Sequence, residues 1–286
     1  MPDTHSLGSV VVTGTSTGIG RATVRLLARE GFRVFAAVRR EEDAQSLRDE
    51  GHLDLTPLRF DVTDAVAIEQ AANQVEAAVG AAGLAGLVNN AGIGFGGPLE
   101  FADIDELRAG FEVNVFGPVA VTRAFLPLLR RATGRIVNVS SGAGKVSTPL
   151  IGPYCASKFA LEGLSDALRV ELRSSGIFVS VIEPGFIDTP MQTKGKSEAE
   201  RQQAALPADA PAYYQAAMTK LRQQFERFGS NATAPEAVAK AIHRALSVPR
   251  PRTRYTVGMD AKLLSPLSRL LPDRAKDAIF GRLLGL

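Results

Sequence analysis

The chain has 286 residues, of which 45% are hydrophobic and 22% are charged, and its formal net charge is +3. A chain of this size and composition can bury a substantial core and suits one α/β domain, so we expect residues 1–286 to form a single domain. Its lysines and arginines are scattered, which argues against nucleic acid as a partner, because nucleic-acid-binding proteins cluster basic residues on one face.

Short apolar segments with the composition of buried strands recur along the chain. They lie at residues 10–12, 34–38, 55–60, 84–88, 135–139, 178–182 and 255–257. Helical patterns lie between them, at residues 19–30, up to about 50, 65–79, 104–131 and 153–174. The alternation predicts parallel βαβ units, and hence an α/β, Rossmann-like, doubly wound parallel sheet with helices on both faces. In such sheets ligands bind beyond the carboxyl ends of the strands.

A glycine-rich loop joins the first strand to the first helix. Gly14, Gly18 and Gly20 lie in it, in the pattern Gly-x-x-x-Gly-x-Gly. Glycines allow a tight turn and bring backbone N–H groups close to a ligand, and the following helix N-terminus favours an anion such as pyrophosphate. No Lys-Ser/Thr pair follows, so this is not a nucleotide-hydrolase loop. The alternative interpretation is a tight strand–helix turn without a ligand.

Tyr154 and Lys158 are four residues apart at the start of a long helical pattern, so they share one helix face. A free tyrosine has a pKa of ~10, and lowering it to about 7 would need roughly 4 kcal/mol of differential stabilisation. A neighbouring ammonium favours the phenolate and lowers the pKa. Such a phenol can exchange a proton with an alcohol or a carbonyl. The alternative is a half-buried tyrosine beside a solvated lysine.

In combination, these motifs resemble those of the short-chain dehydrogenase/reductase family. The resemblance includes the loop at residues 13–20, the run at 89–92, and residues 184–185 followed by Thr189. It also includes, in order and in spacing, the family's catalytic tetrad of Asn114, Ser141, Tyr154 and Lys158. The resemblance covers about residues 10–190 and is loose beyond. Residues 154–163 are similar to family members that act on steroids, retinoids and related lipophilic alcohols.

The resemblance implies a role for each member of the tetrad. Tyr154 would be the general acid in reduction and the base in oxidation. Lys158 would lower the pKa of Tyr154 and hydrogen-bond the nicotinamide ribose. Ser141 would hold the substrate oxygen, and Asn114 would support a water relay to Lys158.

The resemblance also implies a set of residues that line the cofactor site. These are Gly14, Thr15, Ser16, Thr17, Gly18, Ile19, Gly20, Asp61, Val62, Asn90, Ala91, Gly92, Tyr154, Lys158, Pro184, Gly185, Ile187 and Thr189. Asp61 and Val62 resemble the family's adenine-contacting pair, and the alternative is the N-cap region of a helix at Asp64.

The end of the second strand bears on the choice of cofactor. An NAD-binding carboxylate is expected there, but the chain has Val38, followed by Arg39 and Arg40. An arginine can pair with the 2′-phosphate of NADP. We therefore expect Arg39 and Arg40 to bind NADP, with NAD possible. The alternative is that both arginines are solvated and pair with the acids at residues 41–43.

The C-terminal third has two distinctive segments. Residues 191–230 mix apolar and charged residues, and in the family this insertion covers the substrate, so we expect a lid. The amphipathic tail, residues 263–286, could pack on its own domain, on another subunit or on a membrane surface. We expect a homodimer or homotetramer.

Several features bear on compartment and metal content. One cysteine, Cys155, excludes an internal disulfide and fits a reducing compartment, so we expect a cytoplasmic protein. The N-terminus lacks the pattern of a signal peptide. No stretch approaches the ~20 apolar residues of a membrane-spanning helix. With 3 scattered histidines, no metal constellation is expected.

The sequence therefore predicts an NADP-dependent oxidoreductase that acts on a lipophilic secondary alcohol or ketone. One alternative is a cofactor-binding redox sensor or interaction module without turnover. Another is an epimerase or dehydratase that retains its cofactor.

Overall fold

The computed structural model describes residues 7–51 and 54–286, apart from the side chains of residues 194, 196 and 264–269. At its centre is a parallel 7-stranded sheet. Its strands are β1 (Ser9–Val12), β2 (Arg33–Val38), β3 (Leu55–Arg59), β4 (Gly86–Asn89), β5 (Arg135–Val139), β6 (Phe178–Pro184) and β7 (Arg254–Val257). The order across the sheet is β3-β2-β1-β4-β5-β6-β7.

Helices cover both faces of this sheet, as the sequence predicts. They are α1 (Gly18–Arg29), α2 (Glu41–Arg48), α3 (Ala65–Val79), α4 (Ile104–Phe111), α5 (Gly117–Ala132), α6 (Gly152–Glu171), α7 (Pro190–Ala204), α8 (Ala212–Gly229), α9 (Pro235–Ser247), α10 (Met259–Leu270) and α11 (Asp273–Leu284). The predicted doubly wound α/β class is confirmed.

The first strand shows how the two faces are built. Successive residues of a strand point to opposite faces. Val11 joins the core cluster beneath α3 and α5, together with Phe125. Val10 and Val12 join the cluster beneath α1 and α9, together with Ile242. All three valines are fully buried, and burying each stabilises the fold by about 1.5–3 kcal/mol.

The strand order reverses next to β1, and this positions the site. Val12, the last residue of β1, pairs with Ala36 of β2 on one side and Val88 of β4 on the other. The chain leaves β1 and β4 in diverging directions, which opens a crevice at their carboxyl ends. The glycine loop and the run at residues 89–92 both begin there.

The helix predicted at residues 104–131 differs from expectation in its middle. A π-helical turn, Glu112–Phe116, separates α4 from α5. Such turns insert an extra residue per turn and are frequent at functional sites. Asn114 lies in this turn and is fully buried.

The expectation that no stretch is long and apolar enough to span a membrane is wrong on composition. The continuous helical run Ile104–Ala132 meets that criterion by length and composition, and 50% of its most apolar window is buried inside the domain. The apolar side chains that α5 buries, such as Phe125 and Leu129, belong to the core cluster beneath the sheet. The composition of this run is therefore accounted for by core packing.

Some predicted boundaries shift by a few residues. The fourth strand was expected from residue 84, but the Leu84 amide donates to the Leu128 carbonyl of α5, 3.0 Å away, and pairing begins at Gly86. The sixth strand runs on to Pro184 because its ladder with β7 extends that far. The predicted helix at residues 153–174 ends at Glu171 and is followed by a 3-10 turn, Arg173–Ser175.

The C-terminal third is helical and partly packs on its own domain. Helices α7 and α8 occupy the predicted lid region. Leu284 of α11 is buried in a cluster with Met218 and Leu221 of α8 and with Leu150. Leu270, by contrast, is 81% exposed. Within the predicted amphipathic tail, the side chains of residues 264–269 lie outside the described part of the chain, and so do residues 1–6 at the N-terminus.

Candidate active site

The glycine loop is packed so tightly that its glycines have no room for a side chain. Gly14 has a φ of +68°, and a Cβ there would lie 2.7 Å from the Ala91 Cα. A Cβ on Gly20 would overlap the Gly14 carbonyl oxygen and lie 2.7 Å from the Asn90 Nδ2. The loop after β1 is therefore held directly against the loop after β4.

Hydrogen bonds fix the same two loops. The Thr13 hydroxyl oxygen accepts from the backbone N–H groups of Asn90 and Ala91, both at 3.0 Å. The Asn90 side-chain amide donates to the backbone carbonyls of Thr13 and Gly14, at 2.9 and 3.0 Å. Asn90 and Ala91, predicted to bind cofactor, are thus also the supports of the glycine loop.

The middle glycine of the loop, Gly18, lies against the start of the predicted lid region. Gly18 has a φ of +54°, and a Cβ there would lie 2.9 Å from the Thr189 Cγ2. Gly18 is also the first residue of α1, whose N-cap, Thr17, makes no side-chain capping hydrogen bond, and whose first turn has no acidic residue. The N-terminal N–H groups of α1 are thus suited to an anion.

One residue of the predicted cofactor loop has its side chain in the sheet. Thr15 is fully buried, and its hydroxyl donates to the Ala37 carbonyl at 3.0 Å. Only the backbone of Thr15 can then face a cofactor.

Tyr154 and Lys158 lie on one face of α6, as predicted. The Lys158 Nζ is 5.8 Å from the centre of the Tyr154 ring and donates to the Val139 carbonyl of β5 at 3.1 Å. Lys158 is 5% exposed. Phe95, in the loop after β4, packs edge-on against the Tyr154 ring with a centroid distance of 6.3 Å. A buried ammonium and an aromatic wall therefore flank the phenol.

The protein environment shifts both pKa values away from their ordinary ranges. Burial raises the pKa of Tyr154, and the neighbouring Ser141 hydroxyl opposes this only in part. Burial also lowers the pKa of Lys158 to about 8, against the opposing charge of Glu162. The prediction that these surroundings lower the Tyr154 pKa therefore has the wrong sign for the protein alone, because burial disfavours the charged phenolate.

Ser141 lies where β5 ends, next to Tyr154. Its hydroxyl oxygen accepts from the Ala143 N–H at 3.1 Å, which caps the 3-10 turn Gly142–Gly144. The Ser141 hydroxyl is close enough to the Tyr154 phenol to oppose the rise in its pKa, so the two hydroxyl groups lie together at the carboxyl edge of the sheet. That is the pair the sequence predicts for holding one substrate oxygen.

Asn114 is used by the loop after β4 rather than by Lys158 directly. Its side-chain amide donates to the Ile93 carbonyl, and its oxygen accepts from the Ile93 N–H, both at 2.9 Å. A Cβ on Gly92 would lie 3.2 Å from the Asn114 Oδ1 and 3.5 Å from the Lys158 Nζ. Asn114 and Lys158 therefore border the same space beside Gly92, and the predicted relay between them stays a prediction.

The two arginines after β2 have different partners. Arg40 forms an ion pair with Asp43 at 3.0 Å, which is the alternative weighed from the sequence. The Arg39 Nη1 is 3.6 Å from the Asp61 Oδ2, too long for a hydrogen bond. Arg39 is therefore the guanidinium that a new anionic partner can redirect more easily.

Asp61 and Val62 both have structural roles. Burial alone would raise the pKa of Asp61, but hydrogen bonds from Thr63 and the charge of Arg39 outweigh it, so the pKa is lowered. Asp61 accepts from the Thr63 N–H and hydroxyl at 3.0 and 2.8 Å. Val62 is 8% exposed and joins the core. Asp64, three residues after Asp61, is the N-cap of α3.

The segment after β6 is held by a residue that the sequence analysis missed. The Phe186 N–H donates to the Asp260 Oδ2 at 2.7 Å, and a Cβ on Gly185 would overlap the Asp260 carboxylate. Ile187 is buried and forms an isolated bridge with Thr233. Asp260 is three residues past β7, and only its proximity to the end of a strand could have indicated it.

The lid region contacts the loops around Tyr154. A Cβ on Gly97 would lie 3.2 Å from the Gln202 side chain of α7. The Tyr214 ring of α8 packs edge-on against Phe101 at 5.6 Å, while Tyr213 is 49% exposed. The predicted lid region is thus held by the Tyr214–Phe101 contact, while Tyr213 lies at the surface.

Known proteins are similar to this chain over nearly all of its length. The family model for short chain dehydrogenases matches residues 9–200. Retinol dehydrogenase 5 of Homo sapiens is 39% identical over 276 residues, which is 94% of this chain and 86% of that protein. The NADPH-dependent 3-dehydrocapnine reductase of Ornithobacterium rhinotracheale is 37% identical over 277 residues, which is 94% of this chain and 95% of that protein.

Solved structures of similar proteins share the fold. A short-chain dehydrogenase from Streptomyces avermitilis has a TM-score of 0.78 and 30% identity, covering 99% of this chain and 98% of its own. A Burkholderia cenocepacia enzyme in complex with NADP has a TM-score of 0.72 and 27% identity, covering 95% and 96%. A Burkholderia phymatum enzyme in complex with NAD has a TM-score of 0.75 and 28% identity, covering 97% and 96%.

Proposed function

Because the chain belongs to the short-chain dehydrogenase family, we propose that it transfers hydride between NADP and a secondary alcohol or ketone, with Tyr154 as general acid and base. The observation that carries this proposal is the Tyr154 phenol, which lies beside the Ser141 hydroxyl and is backed by the buried Lys158, at the carboxyl edge of the sheet. These are the groups needed to hold a substrate oxygen and exchange its proton.

The residues around the crevice fit a dinucleotide. The glycine loop has no room for side chains, and the N-terminal N–H groups of α1 suit a pyrophosphate. Lys158 would bond the nicotinamide ribose, while Gly185 and Thr189 would flank the nicotinamide. When bound, the cofactor supplies or accepts the hydride.

The protein's part in the reaction is proton transfer and orientation. In reduction, the Tyr154 hydroxyl gives its proton to the carbonyl oxygen while the Ser141 hydroxyl hydrogen-bonds that same oxygen. The raised pKa of Tyr154 keeps the phenol protonated at neutral pH. This supports ketone reduction as the faster direction there.

We propose NADP as the preferred cofactor on the basis of Arg39. Its guanidinium is 68% exposed and only loosely paired with Asp61. A 2′-phosphate offers it a charge-assisted, bidentate partner. A relative named as NADPH-dependent and a neighbour solved with NADP agree with this choice, while another neighbour was solved with NAD.

We propose a lipophilic substrate on the basis of the side chains around Tyr154. Phe95 packs against the phenol, and Leu150 belongs to an apolar cluster shared with α8 and α11. Helices α7 and α8 would close over this surface as a lid. The similarity to a retinol dehydrogenase supports the same substrate class.

A substrate screen with a matched variant tests this proposal. Purified protein is mixed with NADPH and ketones of increasing size, or with NADP and secondary alcohols, and the nicotinamide absorbance is followed. Tyr154→Phe should keep the ring packing and cofactor affinity but lower kcat by about 10²–10⁴-fold, because the proton donor is lost. If the variant kept more than about a tenth of the wild-type rate, the role assigned to Tyr154 would be wrong.

A further inference from the structure

A cluster of buried charges lies behind Lys158, away from the substrate side. Glu162 of α6 is 5% exposed, and Glu183 of β6 is 3% exposed. Carboxylates are almost never this buried without partners, because removing an ion from water is costly. Nothing in the proton-transfer chemistry described above uses either of them.

Two cations bridge these carboxylates. Lys145 forms an ion pair with Glu162 and lies 3.3 Å from the Glu183 Oε1. Arg254 of β7 lies 3.1 Å from the Glu162 Oε2, 3.2 Å from the Glu183 Oε1 and 2.7 Å from the Asp166 Oδ2. Asp166 also forms an ion pair with Arg169, so each of the three carboxylates in the cluster has a cationic partner.

Glu162 follows Lys158 by four residues in α6, so the two side chains lie on one helix face, with Cβ atoms about 5–6 Å apart. Gly144 lies against both residues. A Cβ on it would be 3.2 Å from the Glu162 Cγ and 3.2 Å from the Lys158 carbonyl oxygen. The absence of a side chain at residue 144 therefore lets the 3-10 turn pack directly against the part of α6 that carries Lys158 and Glu162.

We propose that Glu162 is a positioning residue that keeps the buried Lys158 ammonium charged, and that Lys145 limits the strength of this effect. The inference rests on the proposed function only for its effect on rate, since the charge of Lys158 is a property of the protein itself.

The physical argument concerns an ammonium that is almost completely buried. Burial favours neutral lysine, and the hydrogen bond to the Val139 carbonyl offsets only part of that cost. Glu162 supplies the opposing negative charge, and its Oε1 accepts no hydrogen bond from the described residues. In agreement, the pKa of Lys158 is lowered to about 8 by burial, with Glu162 acting to raise it.

Other titratable, charged and polar groups also lie around Lys158. Tyr154 and Asp166 share α6 with it, and the uncharged Asn114 faces it from the π-helical turn across Gly92. The remaining charged groups belong to the cluster itself and come from the 3-10 turn region, β6 and β7. They are Lys145, Glu183 and Arg254.

The test compares three variants of the full chain. Glu162→Gln removes the proposed counterion, and Lys145→Gln removes a competing cation. Asp166→Asn is the control, because Asp166 shares Arg254 with Glu162 but lies two helical turns from Lys158 and is 43% exposed. Two readouts are used. One is the pH midpoint of the Lys158 side-chain NMR signal in lysine-labelled protein, and the other is the pH profile of ketone reduction with NADPH.

The proposal gives a direction for each variant. Glu162→Gln should move the Lys158 midpoint to lower pH by about one unit, since an opposite charge within about 4–6 Å shifts a pKa by 1–3 units. Lys145→Gln should move it to higher pH, and Asp166→Asn should leave it in place. A purely structural role would change the urea midpoint of unfolding without these opposite shifts.

The outcomes separate the two proposals. An unchanged Lys158 midpoint in folded Glu162→Gln overturns the inference. If Glu162→Gln does not fold, the Lys158 midpoint in Lys145→Gln decides. A shift of that midpoint to lower pH, or no shift, then overturns the inference. If the NMR midpoints move as expected but no variant or wild-type protein reduces any ketone, the positioning role stands and the proposed function fails.

Discussion

Gly18→Ala tests whether the glycine loop must lie against Thr189 for cofactor to bind. The chain provides a matched control in Gly80, which has the same φ of +54° but no atom within 4 Å of an added Cβ. In Gly18→Ala, the new Cβ would meet the Thr189 Cγ2 at 2.9 Å and its Cβ at 3.0 Å. The two variants therefore share the unfavourable φ and differ in the contact.

The expected loss of stability follows from these two terms. A non-glycine residue in a sparsely populated positive-φ conformation costs about 1–3 kcal/mol, and this applies to both variants, although Gly80, with a ψ of −132°, lies outside the left-handed helical region. Overpacking against Thr189 adds about 1–3 kcal/mol in Gly18→Ala alone. Its free energy of unfolding should therefore fall by about 2–6 kcal/mol, against about 1–3 kcal/mol for Gly80→Ala.

Urea unfolding gives the stabilities, and titration with NADPH gives the affinities. Because the loop must move away from Thr189, Gly18→Ala should bind NADPH at least about tenfold more weakly, equivalent to about 1.4 kcal/mol. Gly80→Ala should bind like the wild type. Equal losses of stability and affinity in the two variants would refute the reasoning, because only the backbone angle would then matter.

Three further predictions concern specificity and pH. Arg39→Ala should weaken NADPH binding by about 10- to 100-fold and NADH binding little. Arg40→Ala should weaken NADPH binding far less, because the Arg40 guanidinium is already paired with Asp43. Similar losses of NADPH affinity in the two variants would count against the assignment. Because Lys158, with a pKa of about 8, loses its charge as the pH rises, ketone reduction should be level below about pH 8 and fall above it. The pH profile of kcat/KM for ketone reduction checks this, and a rate that does not fall above about pH 8 would contradict it. Replacing both Tyr213 and Tyr214 by serine should raise KM more for a ring-fused ketone than for a short one, since apolar burial contributes about 25 cal/mol per Å². An equal rise of KM for the two ketones would show that the segment is scaffold.

The elements that the sequence predicts most accurately are those with local signals at their ends. The α3 bounds, Ala65–Val79, coincide with prediction because Asp64 caps the first turn, accepting from the Ala67 N–H at 3.0 Å, and Gly80 ends the helix. The β5 bounds also coincide, since a run of apolar residues is enclosed by a glycine and a serine. The predicted catalytic tetrad rests instead on order and spacing along the chain that resemble those of the family.

Features that depend on contacts between distant segments could not be read in this way. The π-helical turn at Asn114 follows from a pair of hydrogen bonds with Ile93, 21 residues earlier. The sign of the Tyr154 pKa shift depends on burial, which a spacing of four residues does not specify. Asp260 comes to the site only because β7 adds to the sheet edge beside β6.

Isotope transfer tests the central claim most directly. Protein is mixed with NADPH deuterated at both C4 positions and a ring-fused ketone, and the product is analysed by mass spectrometry. The account predicts an alcohol with one deuterium on the carbinol carbon, formed one-for-one with released NADP, and almost none from Tyr154→Phe. A product without deuterium, or conversion of substrate with no net change in cofactor, would contradict the account and indicate an epimerase or dehydratase.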